Sequence, residues 1–133
     1  MLFRSELVIR RCYNEQISAM QAERDQFGFD HAELGSRVMA VWQLPPRLVT
    51  VTAHHHLPET FPQLDEEDGR VTAVVALASA CLDWLGVGRR EPNTDIQVSE
   101  LLEWHFLGLS DEDADPILSS AAEHVKAAQA LIR

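Results

Sequence analysis

No stretch of this chain approaches the ~20 consecutive apolar residues needed to cross a bilayer. The first residues interrupt their apolar positions with Arg4, Glu6, Arg10 and Arg11, so a signal peptide is not expected either. Basic residues are scarce: 11 Lys and Arg against 21 Asp and Glu leave a formal charge of -10. Such a field repels phosphate backbones and anionic headgroups, so neither nucleic acid nor a membrane is expected as a partner. Cysteine is limited to Cys12 and Cys81, with no CxxC or Cys/His zinc spacing, and free buried thiols in a reducing cytoplasm are the expectation. Repeats, low-complexity tracts, a nucleophile elbow and EF-hand spacing are all missing. Leu85-Gly86-Val87-Gly88 is no phosphate loop, because it follows a helical pattern and lacks the downstream lysine.

What is present is a globular composition, 133 residues with 46% hydrophobic side chains, enough for one domain with one core. The segments between Gly and Pro have helical length, which predicts an all-α bundle of about six helices. The first helix is expected over Ser5 to Gln26, broken by Phe27-Gly28-Phe29. The second begins after Asp30, whose side chain caps the free amides while Glu33 completes a capping box, and ends near Trp42. The third starts at Pro45-Pro46 and runs to about His56.

The fourth, Glu66 to Leu85, sets Val71, Val74, Val75, Ala78, Cys81, Leu82 and Leu85 on one apolar face. Gly86 and Gly88 end it, and Arg89 to Thr94 reads as a surface loop. A short helix over Val98 to Phe106 comes next. The last helix follows Ser110, a cap with Asp113, and carries the stripe Ile117, Ala121, Val125, Ala128 and Ile132. Trp42, Trp84 and Trp104 are expected in the core. The acidic runs 65–68 and 111–115 suit the positive ends of helices better than calcium.

The chemistry concentrates between Asp30 and Pro58. A linker as short as Gln43 to Pro45 favours an antiparallel hairpin, which brings His31, at the start of one helix, near His55 and His56 at the end of the next. His31 shares a face with Leu34, Gly35, Val38 and Trp42, and His55 shares one with Leu48, Val51 and Thr52. Gly35 suits a close helix approach. Three converging imidazoles suit a transition metal. The plainer alternative is one or two core histidines bonded to backbone carbonyls, with His54 facing water.

Glu23, Phe27-Gly28, Asp30-His31-Ala32-Glu33-Leu34-Gly35, Trp42-Gln43-Leu44-Pro45 and His55-His56 with Pro58 together resemble the HDOD family signature in order and spacing. The firm resemblance covers 23–85, and Leu107-Gly108-Leu109-Ser110 is similar to the family's closing element. The family's domain extends further on its N-terminal side, so the resemblance implies a C-terminal portion of an HDOD domain. It implies a helical fold of the HD phosphohydrolase superfamily and a bacterial, cytoplasmic, regulatory role rather than an enzymatic one. No His-Asp pair, the superfamily's central metal-binding dipeptide, occurs in the sequence, nor any Gly-Tyr-Pro.

By position, His31, His55 and His56 resemble half of the ligand set of HD-GYP cyclic-dinucleotide phosphodiesterases. The expectation is therefore no catalytic residue and no cofactor, with Glu23, His31, His55 and His56 as ligand-binding candidates. Partners would be signalling proteins and a second copy of the chain. The competing expectation is a metal-dependent phosphohydrolase in which His31, His55 and His56 hold iron, manganese or zinc and further ligands come from residues outside this sequence. A third is a nucleotide bound at the histidines without cleavage.

Overall fold

Two helices occupy the stretch where one was expected. In the computed structural model, which describes residues 4–87 and 93–132, α1 spans Arg4–Glu15 and α2 spans Ala19–Phe27. Gln16 takes the left-handed region at φ 55, and the Ser18 hydroxyl accepts the Gln21 amide at 3.1 Å. That cap starts a new helix, which corrects the single helix read over Ser5 to Gln26. α1 packs on α2, with Val8 and Ala22 buried. On the surface Arg11 ties the two together, 2.8 Å from Glu15 and 3.0 Å from Asp25.

Gly28, at φ 83, ends α2 in a conformation that a side chain would strain, and its amide reaches Arg24 O at 2.8 Å. α3 spans His31–Val41 and α4 spans Pro46–His54. Between them Gln43 stands at φ 57, while its amide bonds Ala40 O and that of Leu44 bonds Met39 O, both at 3.0 Å. This is a Schellman closure built on glutamine where glycine is usual, at a strain of about 1 kcal/mol. A Cβ added at Gly35 would stand 3.2 Å from Thr52 Cγ2. The close helix approach expected at Gly35 is thus observed. Met1–Ala53 forms one compact unit of the chain and His54–Arg133 a second.

The second unit opens with a 3-10 turn at Pro58–Gln63 and is organised around α5, Glu66–Leu85, whose limits are those expected. Asp65 caps it by accepting the Asp68 amide at 2.9 Å, and Gly86 closes it at φ 76. Its buried face is Gly69, Thr72, Ala73, Ala76, Leu77 and Cys81, while Val71, Val74, Val75, Ala78 and Leu82 are exposed. Apart from Cys81, the face read from the sequence is rotated from the observed one, because a helix apolar on most sides gives periodicity little contrast.

A 3-10 turn at Val98–Glu100 and α6, Leu102–Phe106, replace the one short helix expected there. A turn at Asp111–Asp113 leads into α7, Ala114–Leu131. Asp113 accepts the Ser110 amide at 2.7 Å, as its pairing with that cap predicts. Leu77, Cys81, Val98 and Trp104 form the core here, with Ile117, Leu118 and Ala121 of α7 packed against it. The α7 stripe does not stay inside: Ala128 and Ile132 are exposed.

Phe61 meets Phe106 edge to face at 5.8 Å between centroids beside Gly69. Trp104 is buried as expected, and its Nε1 has no hydrogen-bond partner among the described residues. Trp42 is exposed, against expectation. Cys81 is a buried free thiol, and burial pushes its pKa up. Seven α-helices and no strand occur among the described residues, so the fold is all-α. No helix there is long and apolar enough to cross a membrane. Gly88 and the loop positions from Arg89 to Pro92 lie outside the described residues.

Candidate functional site

The start of α3 is held by two carboxylates from different directions. Asp30 Oδ1 accepts the Glu33 amide at 2.9 Å, and Glu23 Oε2, from α2, accepts the His31 amide at 2.9 Å. Two of the four amides that lack helical partners are thereby satisfied, and negative charge sits at the positive end of the helix dipole. Glu33, expected to reach back in a capping box, takes Arg37 Nη2 at 2.7 Å. The box is therefore replaced by the reach of Glu23 across the bend.

Asp30 is 1% exposed, and Arg24 donates to its Oδ2 through Nε and Nη2, each at 2.7 Å. Burial alone would push this carboxyl upward, but the hydrogen bonds from Glu33 and Arg24 outweigh it and hold the pKa below the ordinary aspartate value. Arg24 is a functional neighbour that the sequence reading missed. Its position one residue after Glu23, six before Asp30, is the signal that was there to be read.

His31, exposed at the first position of α3, turns Nδ1 to Glu23 Oε2 at 2.7 Å. An ionised carboxylate only accepts, so Nδ1 is the protonated nitrogen in this contact. Glu23 and His31, two of the four candidates, are thus brought together inside the first unit.

The other two candidates fall in the second unit. α4 ends at His54, so His55 and His56 stand in a turn rather than on a helical face, which corrects both the helix end near His56 and the stripe assigned to His55. Their rings lie 4.0 Å apart, tilted by 40°. His54 is partly buried rather than directed to water. Its Nδ1 meets Thr60 Oγ1 at 2.9 Å. Thr60 spends its proton on Leu57 O at 2.7 Å and so accepts from His54. Thr60 was also missed; its only sequence signal is the ordinary preference of hydroxyls for turns.

At the far end of α3 the turn into α4 carries Val41 at 80% and Trp42 at 72% exposure. Leu44 and Leu48 beside them are also exposed. The first unit therefore has a polar, carboxylate-clamped end and an apolar one on the same helix.

No curated protein and no solved structure matches this chain. The HDOD domain family model matches residues 4–58. That segment contains every signature residue from Glu23 to Pro58. It starts earlier than the resemblance read over 23–85 and ends earlier, leaving 59–85 and the Leu107 to Ser110 element outside. The match occupies the N-terminal part of the chain and not its C-terminal part. An HDOD domain is present in this chain, over residues 4–58.

Proposed function

We propose that this chain is a non-catalytic regulatory module of a bacterial signalling protein, working in the cytoplasm through contacts with protein partners, a second copy of itself among them. The carrying observation is the exposure of Val41, 80%, and Trp42, 72%, at the turn after α3. Aromatic and aliphatic groups left open in a contiguous patch are the usual material of interfaces. The sequence supports the same reading, since no His-Asp dipeptide is present in it to begin a hydrolytic metal set. Sedimentation velocity tests it: the wild type self-associates at micromolar concentration, and Trp42→Ala combined with Val41→Ser gives monomer. A wild-type chain that sediments as a monomer would reject contact between copies through this turn.

A second reading, a metal-dependent phosphohydrolase of the HD superfamily, draws on the residue types at positions 31, 55 and 56, since each histidine has a ring nitrogen of the kind that binds transition metals. On this reading they hold iron, manganese or zinc, whose chemistry is to activate a water molecule. Metal analysis discriminates the two: stoichiometric metal that is lost in His31→Ala and His55→Ala, with hydrolysis of a cyclic dinucleotide, would favour the enzyme. Calorimetric binding of a cyclic dinucleotide without cleavage would make the histidines an allosteric ligand site.

A further inference from the structure

We infer that Glu23 is a positioning residue for His31: it selects the neutral imidazole tautomer protonated at Nδ1 and so presents Nε2 as the ring's acceptor or ligand atom. This deepens the second reading, in which His31 is a ligand-binding residue, and rests on it for its use, though not for its test.

Three observations carry the inference. Glu23 Oε2 lies 2.7 Å from His31 Nδ1 and 2.9 Å from the His31 backbone nitrogen. One oxygen thus grips the ring and the root of the same residue, fixing the ring's rotation relative to the helix that bears it. A carboxylate has no proton to give, so the nitrogen it faces must supply one, and in a neutral ring the other nitrogen is then bare.

The grip is also sheltered at its base, since the Glu23 side chain is 20% exposed against 45% for His31. Finally, the next residue of α2, Arg24, holds Asp30, the cap just before α3, at 2.7 Å through each of two nitrogens. The two helices are thereby fixed around the bend, so the distance from Glu23 to His31 is set by the fold and not by a flexible surface side chain. An imidazole bonded to a carboxylate through one nitrogen is a better base, and a better ligand, at the other.

The test uses ligand-free chain labelled with nitrogen-15 in histidine, read by long-range proton-nitrogen correlation near pH 8, well above the ordinary histidine value of about 6.5. The wild type is expected to show His31 protonated at Nδ1 and bare at Nε2. Glu23→Ala is expected to lose that signature, with helix content checked by circular dichroism. A packing role alone would not change which nitrogen bears the proton.

A wild-type His31 protonated at Nε2 overturns the inference, as does a folded Glu23→Ala chain with an unchanged tautomer. Should Glu23→Ala fail to fold, the wild-type signature alone decides. Because no ligand enters the experiment, an Nδ1-protonated His31 in a chain that binds neither metal nor nucleotide upholds this inference while rejecting the ligand reading.

Discussion

Arg24 and Asp30 face each other across the bend between α2 and α3, with Nε and Nη2 each 2.7 Å from the same carboxylate oxygen. The other oxygen of Asp30 caps α3, so one buried side chain both closes the bend and starts the helix.

Asp30→Ala is expected to destabilise the chain by about 2 kcal/mol, the sum of a lost cap and an arginine left without its partner. Asp30→Asn keeps a capping oxygen and is expected to lose less than half as much. Urea titration followed by circular dichroism ranks the two; equal losses would mean that the cap contributes little.

Acid should act through the same residue. Its pKa is lowered in the folded chain, so its contribution is complete above the unfolded value of about 3.9 and disappears as pH falls through the lower folded value. The wild type should therefore lose its advantage over Asp30→Asn as pH drops below about 4. Denaturation midpoints at a series of pH values down to the acid limit of folding provide the check, and a constant gap would contradict it.

Two glycines should respond differently to alanine. At Gly69 a Cβ would stand 2.9 Å from the Phe61 carbonyl oxygen and 3.2 Å from Phe106 Cζ, and backbone does not yield easily. Gly69→Ala is expected to cost about 1–3 kcal/mol. At Gly35 the neighbour is a threonine methyl at 3.2 Å, and alanine gains about 1 kcal/mol of helix propensity. Gly35→Ala should stay within about 1 kcal/mol of the wild type. Chemical denaturation of both variants measures the difference.

Trp104 offers a test of the second unit. It is 1% exposed, with its Nε1 unpartnered among the described residues. Trp104→Ala is expected to cost about 3–5 kcal/mol, the usual result of emptying such a site. Trp104→Phe should cost much less, since it also removes a buried donor that makes no bond. Similar losses in both variants would indicate that the indole nitrogen is bonded in solution.

Much of this architecture was legible where capping chemistry marks it. Asp30, Asp65 and Ser110 each announce a helix start, and Gly86 announces the end of α5. The break at residues 16–18 was legible too, since Ser18 followed by Gln21 is a capping signature, but the continuous apolar pattern from Leu7 to Met20 hides it. Gln16 in the left-handed region gives no sequence signal at all. The buried face of α5 was misread because its valines and alanines encircle the helix, and burial there follows neighbours that one sequence does not name. At the site, His31 and Glu23 stood out by type and position. The link between them, and the turn conformation of His55 and His56, depend on tertiary geometry.

Glu23 and Arg24 are consecutive on α2, and they hold His31, the first residue of α3, and Asp30, the cap just before it. Neighbouring residues of a helix point about 100° apart, so these two straps brace the bend from separate directions. Rolling α2 by one residue would pull both off their holds together. The angle of the bend and the setting of the His31 ring are therefore held by the same two adjacent residues of α2.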